Sequence, residues 1–591
     1  MSSSQSILIL IRRLYGHISV QRRSQFGLLL FLMMLASFAE ILSIGAVLPF
    51  LGALTVPTQV FEHAAAQPFI QLLEITEPEQ LLFPLTVSFA LAAILAGALR
   101  LLLLWTSTRL SYRTGADISI NIYRRTLYQP YSIHVARNSS EIINGIANKT
   151  GSVIHLLMMF LNLIGSTVMI LSILSALFLI DPSMALLTFG GFGLIYLLIL
   201  SFTRNRLRNN SNLIAQESTQ VIKSLQEGLG GIRDILIDGS QSVYCDIYRR
   251  ADRTLRYAQA SSAFIGGSPR YAIEALGMVL IASIAYFMGQ QPNGLSQVIP
   301  MLGALALGAQ RLLPVLQQAY ASWTGIQSGR VSMLDALELL DQELPEYVEN
   351  PTTEYLTYQN LITLNGVSFR YNLEASWVLK NINFSITKGS RVGFVGKTGS
   401  GKSTLLDIIM GLLSPTEGTL EIDGLPITMD NHRAWQSHIS HVPQAIFLAD
   451  STIEENIAFG IPKNKIDHSR IIEAASQAQI ADIIDTWPKK YKTIVGERGI
   501  RLSGGQRQRI GIARALYKQS DVIIFDEATS ALDNDTESAV MQAIDSLNKD
   551  VTVLIIAHRL TTLKNCDVIV ELDDTGINNI GTYHKIQTKF Q

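Results

Sequence analysis

Gly396, Gly401, Lys402 and Ser403 occupy the fixed positions of G-x-x-x-x-G-K-[ST] within GFVGKTGSGKST, residues 393–404. This spacing suits phosphate chemistry. Glycines let successive backbone N–H groups approach phosphate oxygens, the lysine reaches the outer phosphates, and the hydroxyl can ligate Mg²⁺. Lys397, Thr398, Gly399, Ser400 and Thr404 complete the expected loop. A strand over 392–395 leads into it and a helix over 404–413 leads out, which is the context the motif requires. Further along, DVIIFDEATSALD (521–533) reads as a hydrophobic strand ending in two carboxylates. Asp526 is placed to hold Mg²⁺ through water, and Glu527 to polarise an attacking water as a general base.

The elements that position these groups occupy less than half of a 591-residue chain. Its 48% hydrophobic and 16% charged composition is apolar for a soluble protein, and its net charge of −1 gives no electrostatic reason to expect a nucleic-acid partner. The two cysteines, Cys245 and Cys566, belong to no paired redox or metal motif. Six apolar runs are long enough to span a bilayer: about 25–54, 84–108, 153–180, 183–203, 262–289 and 293–322. Arginines precede the first run and no small-residue cleavage site follows it, so it reads as an anchor. The acidic, proline-containing stretch 341–356 reads as a linker to a soluble α/β region.

Charge sets the orientation. Residues 55–84 carry four glutamates and no Lys or Arg, whereas the second-to-third and fourth-to-fifth connections are rich in arginine. Both termini and those two connections are therefore expected on the cytoplasmic side. Their helical patterning predicts that the membrane helices continue into the cytoplasm. DPS and QQPNG are expected as tight external turns. The external stretch 60–75 reads either as a short interfacial helix or as an ordinary loop with an apolar cluster.

LSGGQ, within RLSGGQRQRIGIARAL (501–516), carries a resemblance to the ATP-binding cassette (ABC) ATPases. Other elements follow in that family's order: Tyr371 in SFRYN, Gln444 in HVPQ, VGERG before the signature, SALD ending in Asp533, and His558 in IIAHRL. The resemblance implies that Tyr371 stacks on adenine, and that Gln444 contacts Mg²⁺ and water and reports to the membrane region. It implies that His558 contacts the γ-phosphate. It also implies that Ser503, Gly505 and Gln506 close over ATP held by a second nucleotide domain, with Asp533 part of the same site. One chain has one such domain, so a homodimer is the simplest assembly, with a heterodimer left open.

Six spans followed by one nucleotide domain resemble an ABC exporter half-transporter. The membrane half, in SFAEILSIGAVLPF, PRYAIEALG and QRLLPV, is similar to the bacterial flippase for lipid-linked oligosaccharides of protein N-glycosylation. GLGGIRDILIDG (228–239) resembles the segment that docks on the nucleotide domain. The expected fold class is a multidomain membrane protein: a six-helix α transmembrane domain over 1–335, a linker over 336–358 and an α/β P-loop nucleotide-binding domain over 359–591. ATP and Mg²⁺ are the expected cofactors, and the inner membrane the expected location.

Arg100, Arg270 and Arg311 each fall inside a span, roughly 24–29 Å from its external end at about 1.5 Å per residue. An arginine at the centre of a membrane helix costs about 2.5–3.5 kcal/mol by insertion scales, so something must compensate. Two readings stay open. The guanidinium groups bind a phosphate or pyrophosphate in a cavity, as the flippase resemblance implies. Alternatively they pair with Glu40 and Glu274 or snorkel to the inner headgroups. The expected activity is ATP-driven outward movement of an amphiphilic anion, a lipid-linked glycan being the leading candidate. Export of peptides, drugs or other lipids is the alternative, and an ATP-gated regulatory membrane protein a more distant one.

Overall fold

The computed structural model describes residues 6–590 apart from 56, 64–65, 181, 290–293, 350–355, 373, 529–531, 558 and 575. Both expected external turns fall wholly or partly outside the described residues. The chain forms two compact units, residues 1–129 with 137–343, and residues 130–136 with 344–591.

The first unit is helical. A short amphipathic helix, α1 (Ile7–His17), precedes six long ones. These include α2 (Val20–Thr55) and α3 (Leu82–Leu127), separated from the rest by a short helix, α4 (Tyr131–Ala136), that groups with the second unit. The others are α5 (Thr150–Ile180), α6 (Pro182–Gly230), α8 (Gln241–Gly289) and α9 (Gly294–Leu340), with the short α7 (Ile232–Asp238) between α6 and α8. The 46 residues of α3 make a rod of about 69 Å, over twice the hydrocarbon thickness of a bilayer. The spans therefore do continue beyond the membrane, as their polar extensions require. Among the described residues, three helices are long and apolar enough to cross a membrane, within Val20–Ser43, Pro78–Leu127 and Ser139–Ser175. The other expected spans include side chains outside the described set.

The polar ends pack on each other. Leu10 and Leu14 of α1, Ile118 and Ile122 of α3, Val153 and Leu156 of α5, and Met333, Leu337 and Leu340 of α9 form one buried cluster. Asp341 ties α1 to the end of α9 by accepting from Arg13 and His17, the latter at 2.7 Å. Lys149 pairs with Asp335 at 2.6 Å. This packing explains one difference from the sequence reading: α9 stays helical to Leu340, inside the stretch assigned to the linker. By contrast, the apolar window of α3 is 6% buried within the chain, so lipid or a second subunit must cover it.

The second unit holds two sheets. An antiparallel one has the order β2-β1-β4-β5, where β1 is Leu361–Phe369, β2 Leu379–Thr387, β4 Glu417–Ile422 and β5 Leu425–Pro426. The other has the order β10-β9-β3-β8-β7-β6, parallel except at its β10 edge. Its strands are β3 (Arg391–Gly396), β6 (Ile439–Val442), β7 (Val522–Asp526), β8 (Thr552–Ile556), β9 (Val568–Asp573) and β10 (Gly576–Gly581). Val392, Phe394, Ile524 and Leu554 are buried on one face, and Ile523, Phe525, Val553 and Ile555 on the other. Burial on both faces explains why these strands read as continuous apolar runs.

The chain enters this unit through a carboxylate clamp. Asp423, in the left-handed region at φ 49, accepts from the N–H groups of Gln359, Asn360 and Leu361 at 2.6, 2.8 and 2.7 Å. Burial opposes its charge, but the three N–H groups and Lys388 outweigh it and hold the carboxyl below the usual carboxylate range. A folded-state pKa lowered in this way adds stability that is complete above the unfolded value of about 3.9 and is lost as pH falls through the folded value. Asp423→Ala should cost about 1 kcal/mol at neutral pH, the scale of a lost side-chain cap, and the difference should shrink as pH falls below about 3.9 and through the folded value. Melting curves of the two proteins between pH 7 and 3 check this.

Candidate functional site

The phosphate loop leaves the carboxyl end of β3, where parallel sheets bind ligands. It ends at Gly401, which caps α10 (Lys402–Ile409) in the left-handed region at φ 85. A side chain there would meet Leu379 at 2.8 Å and the Val378 carbonyl at 3.1 Å, so glycine is required twice over. The helix stops four residues before its expected end because Gly411, at φ 64, turns the chain out of it.

Lys402 is 7% exposed, and its Nζ donates to the carbonyls of Gly396 and Lys397, both at 2.8 Å. Burial lowers its pKa against the pull of Glu527 and Asp526. Ser400 is buried, and its hydroxyl has no partner among the described residues. Backbone kept bare by glycine, an inward lysine and an orphaned hydroxyl suit a polyphosphate.

The two carboxylates stand together at the end of β7. Asp526 closes β7 and pairs in register with Ile556 of β8. Glu527 follows at φ 51, with its N–H on the Ile556 carbonyl at 3.1 Å. Gln444, just past β6, donates its Nε2 to Glu527 Oε2 at 2.6 Å. Asp407 of α10 is pushed up to about 6 by burial and by Asp526. This crowding of negative charge suits a cation. Among the described residues, however, no group of three or more His, Cys, Asp or Glu side chains could hold one alone. The set fits Mg²⁺, which keeps water and takes oxygens from substrate phosphates. Ser403, Asp526 and Gln444 are the side chains that would hold it.

Tyr371 is 54% exposed, edge-on to Phe369 with ring centres 5.1 Å apart, and its hydroxyl lies 3.3 Å from Thr404 Oγ1. An open ring beside the start of α10 can take a base. Ser503 caps α11 (Gly504–Lys518) through a reciprocal box: Gln506 N–H donates to Ser503 Oγ at 3.2 Å, and Ser503 N–H to Gln506 Oε1 at 2.9 Å. That box uses the N–H of Gln506, whereas those of Gly504 and Gly505 ahead of it have no intrahelical acceptor and can meet an anion. Asp533 caps α12 (Asn534–Asp545), accepting from the N–H and hydroxyl of Thr536 at 2.9 and 2.8 Å. His558 lies outside the described residues, as does part of the SALD segment.

In the membrane unit, Arg100 pairs with the buried Glu40 at 2.5 Å, and Arg270 with Glu274 at 2.9 Å, one turn along α8. Gln317 Nε2 also reaches Glu274, at 3.5 Å. The arginine side chains are nonetheless 43% and 59% exposed within the chain. Pairing fixes each guanidinium while part of its surface faces outward. The side chain of Arg311 is outside the described residues. Sequence reading missed the direct Gln444–Glu527 bond, and it missed Asn162, Ser166 and Gln318, which line a hollow beside Arg100. Isolated polar residues in apolar runs gave no spacing to detect.

Residues 379–530 match the family described as ABC transporter, and residues 24–293 match the ABC transporter transmembrane region. The chain is 30% identical over 404 residues to an Alkalilimnicola ehrlichii protein named ATP-dependent lipid A-core flippase, covering 67% of each. It is 33% identical over 435 residues to the mouse protein named ATP-binding cassette sub-family B member 10, mitochondrial, covering 70% of this chain and 58% of that one. A solved structure described as a bacterial Atm1-family ABC exporter with ATP bound matches 99% of this chain and 97% of its own, with a TM-score of 0.76 at 23% identity. That likeness extends to the fold.

Proposed function

Because the chain belongs to the ABC transporter family, as an exporter with fused membrane and nucleotide-binding regions, we propose that it works as a homodimeric flippase for an amphiphilic lipid with an anionic, phosphate-bearing headgroup. A lipid-linked oligosaccharide is the leading substrate. Membership carries ATP hydrolysis coupled to transport across a membrane. The further assignments are Mg²⁺ on Ser403, Asp526 and Gln444, the inner membrane as location, and cytoplasmic termini and nucleotide-binding domain. The observation that carries the headgroup assignment is the placing of Arg100 and Arg270, each fixed by a carboxylate yet half open, within apolar helices. A relative named as a lipid flippase supports a lipid substrate. Of the exposed residues of α7, Ile232, Leu236 and Ile237 are the apolar contacts through which residues 228–239 would dock on a nucleotide-binding domain.

The test is ATP-dependent translocation in liposomes, comparing a labelled lipid-linked oligosaccharide with lipid A-core, drugs and peptides. Transport of drugs or peptides alone would overturn the lipid reading. Charge deletion sharpens it. Removing one partner of a buried pair is strongly destabilising, whereas replacing both with apolar groups is often neutral. Glu40→Leu/Arg100→Leu should therefore keep its melting temperature within about 2 °C of wild type, because a change of about 1 kcal/mol moves a 591-residue chain by less than the roughly 2–4 °C expected at about 150–250 residues. Its translocation should fall by about tenfold or more, the scale of one lost charge-assisted hydrogen bond. A stable double variant that still transports at the wild-type rate would reduce the arginine to a structural partner.

A further inference from the structure

We infer that Trp435 is a positioning residue for the phosphate site, and that His438 ties it to the segment joining the membrane and nucleotide-binding regions. This role concerns ATP binding and holds whatever the transported substrate. Trp435 is fully buried in a short helix, His432–Ser437, that precedes β6. Its indole Nε1 donates to the carbonyl of Ile409, the last residue of α10, at 2.7 Å. Helix α10 begins with Lys402 and Ser403. The indole therefore holds the far end of the element that presents both side chains to phosphate.

A helix leaves its last four carbonyls for donors beyond it. The chain just past α10 supplies three: the Leu406, Asp407 and Ile408 carbonyls accept from the N–H groups of Met410, Leu412 and Gly411 at 2.8, 2.9 and 2.8 Å. The Ile409 carbonyl is the fourth, and the indole meets it. Gln436 Nε2 adds bonds to the Gly411 and Met410 carbonyls at 3.1 and 3.4 Å. Orphaning a buried carbonyl is costly, so the end of α10 must follow the indole. The eight residues of α10 make a rod of about 12 Å, which passes a shift at Ile409 along its hydrogen-bonded backbone to Lys402.

The same short helix receives the entering chain. Tyr358 meets the indole edge-on with ring centres 5.5 Å apart, and His438 stacks on it at 6.2 Å. His438 Nε2 donates to the Leu356 carbonyl at 2.7 Å, while the Asp521 carboxylate accepts from Nδ1. Tyr347 lies edge-on to His432 at 5.3 Å, with the Arg433 guanidinium 5.7 Å from its ring. Tyr347, Leu356 and Tyr358 thus touch the helix at both of its ends. They belong to the covalent connection from α9, so a pull on that connection acts on His438 and Trp435 first and on the phosphate loop through α10.

Trp435→Phe in the purified full-length protein, in nanodiscs, tests this by equilibrium ATP binding, kcat and melting temperature. The phenyl ring keeps the contacts with Tyr358 and His438 and loses the donor. ATP binding should weaken by about threefold to tenfold, the scale of one neutral hydrogen bond, with kcat at saturating ATP within about twofold of wild type. Glu527 and Gln444 lie outside α10, so chemistry survives once ATP is bound. His438→Leu should act in the same direction. The double variant should bind ATP no more weakly than Trp435→Phe alone, because both changes act along one path. Tyr358→Phe is the structural control: it loses the 2.8 Å bond between its hydroxyl and Thr552 Oγ1, and should melt lower with ATP affinity unchanged. Unchanged affinity in both Trp435→Phe and His438→Leu would overturn the inference and leave the indole a packing residue. A fall in kcat at unchanged affinity would overturn it too, since the effect would then pass through β6 to Gln444. Equal loss of affinity in Tyr358→Phe and Trp435→Phe would do the same, by tracing the effect to stability alone. If Trp435→Phe does not fold, His438→Leu against Tyr358→Phe decides.

Discussion

Glu527→Gln should lower ATP turnover by about 10²–10⁴-fold, the range expected for loss of a general base, while the protein still binds ATP. The geometry supports separating the two effects. Lys402 and the glycine-shaped loop lie on β3 and α10, whereas Glu527 stands past the end of β7. The amide is nearly isosteric and can still meet Gln444, whose Nε2 lies 2.6 Å from the carboxylate. Single-turnover hydrolysis alongside nucleotide binding separates loss of chemistry from loss of affinity. Turnover within about threefold of wild type would remove Glu527 from the role of base, since even a weak base contributes more than that.

The second large effect concerns assembly. If the first turn of α11 closes over ATP on the phosphate loop of another copy, Lys402→Ala and Ser503→Arg should each abolish turnover as homodimers. Mixed dimers of the two variants should recover about half of wild-type activity, the statistical share of one intact site. Both defects then fall on one composite site, and the other keeps a native loop and a native signature. Placing both changes in one chain and pairing it with wild type should leave neither site intact. Tandem affinity purification of differently tagged chains, followed by ATPase assay, makes the comparison. Equal activity in the two mixed dimers would exclude sites shared across the dimer.

The nucleotide chemistry was legible in the sequence because phosphate recognition needs particular residues at short fixed spacings. Those residues lie where the strand-loop-helix pattern placed them. Hydropathy gave the six long helices for a similar reason, since a bilayer imposes a length. Its limits were equally physical. The continuation of α9 to Leu340 depends on burial against α1 some 300 residues away in sequence, which no local window contains. The early stop of α10 was signalled by Gly411, but the apolar run LL after it masked the signal. Arg100 and Arg270 were visible as anomalies, and both carboxylate partners were nameable. Only packing could show that each pair forms and still leaves the guanidinium half open. Asn162, Ser166 and Gln318 were invisible because their meaning comes from three helices converging.

The backbone at Glu527 has a consequence for how this position is preserved. Its left-handed conformation costs a side-chain-bearing residue about 1–2 kcal/mol, a penalty that glycine escapes and asparagine reduces. If Glu527 is the base, foldedness therefore favours replacing the side chain that turnover requires. A population selected only for abundance in the membrane would drift toward well-folded proteins that bind nucleotide and never hydrolyse it. On that reading, glutamate would be kept at 527 only as long as something outside the fold rewards each completed cycle.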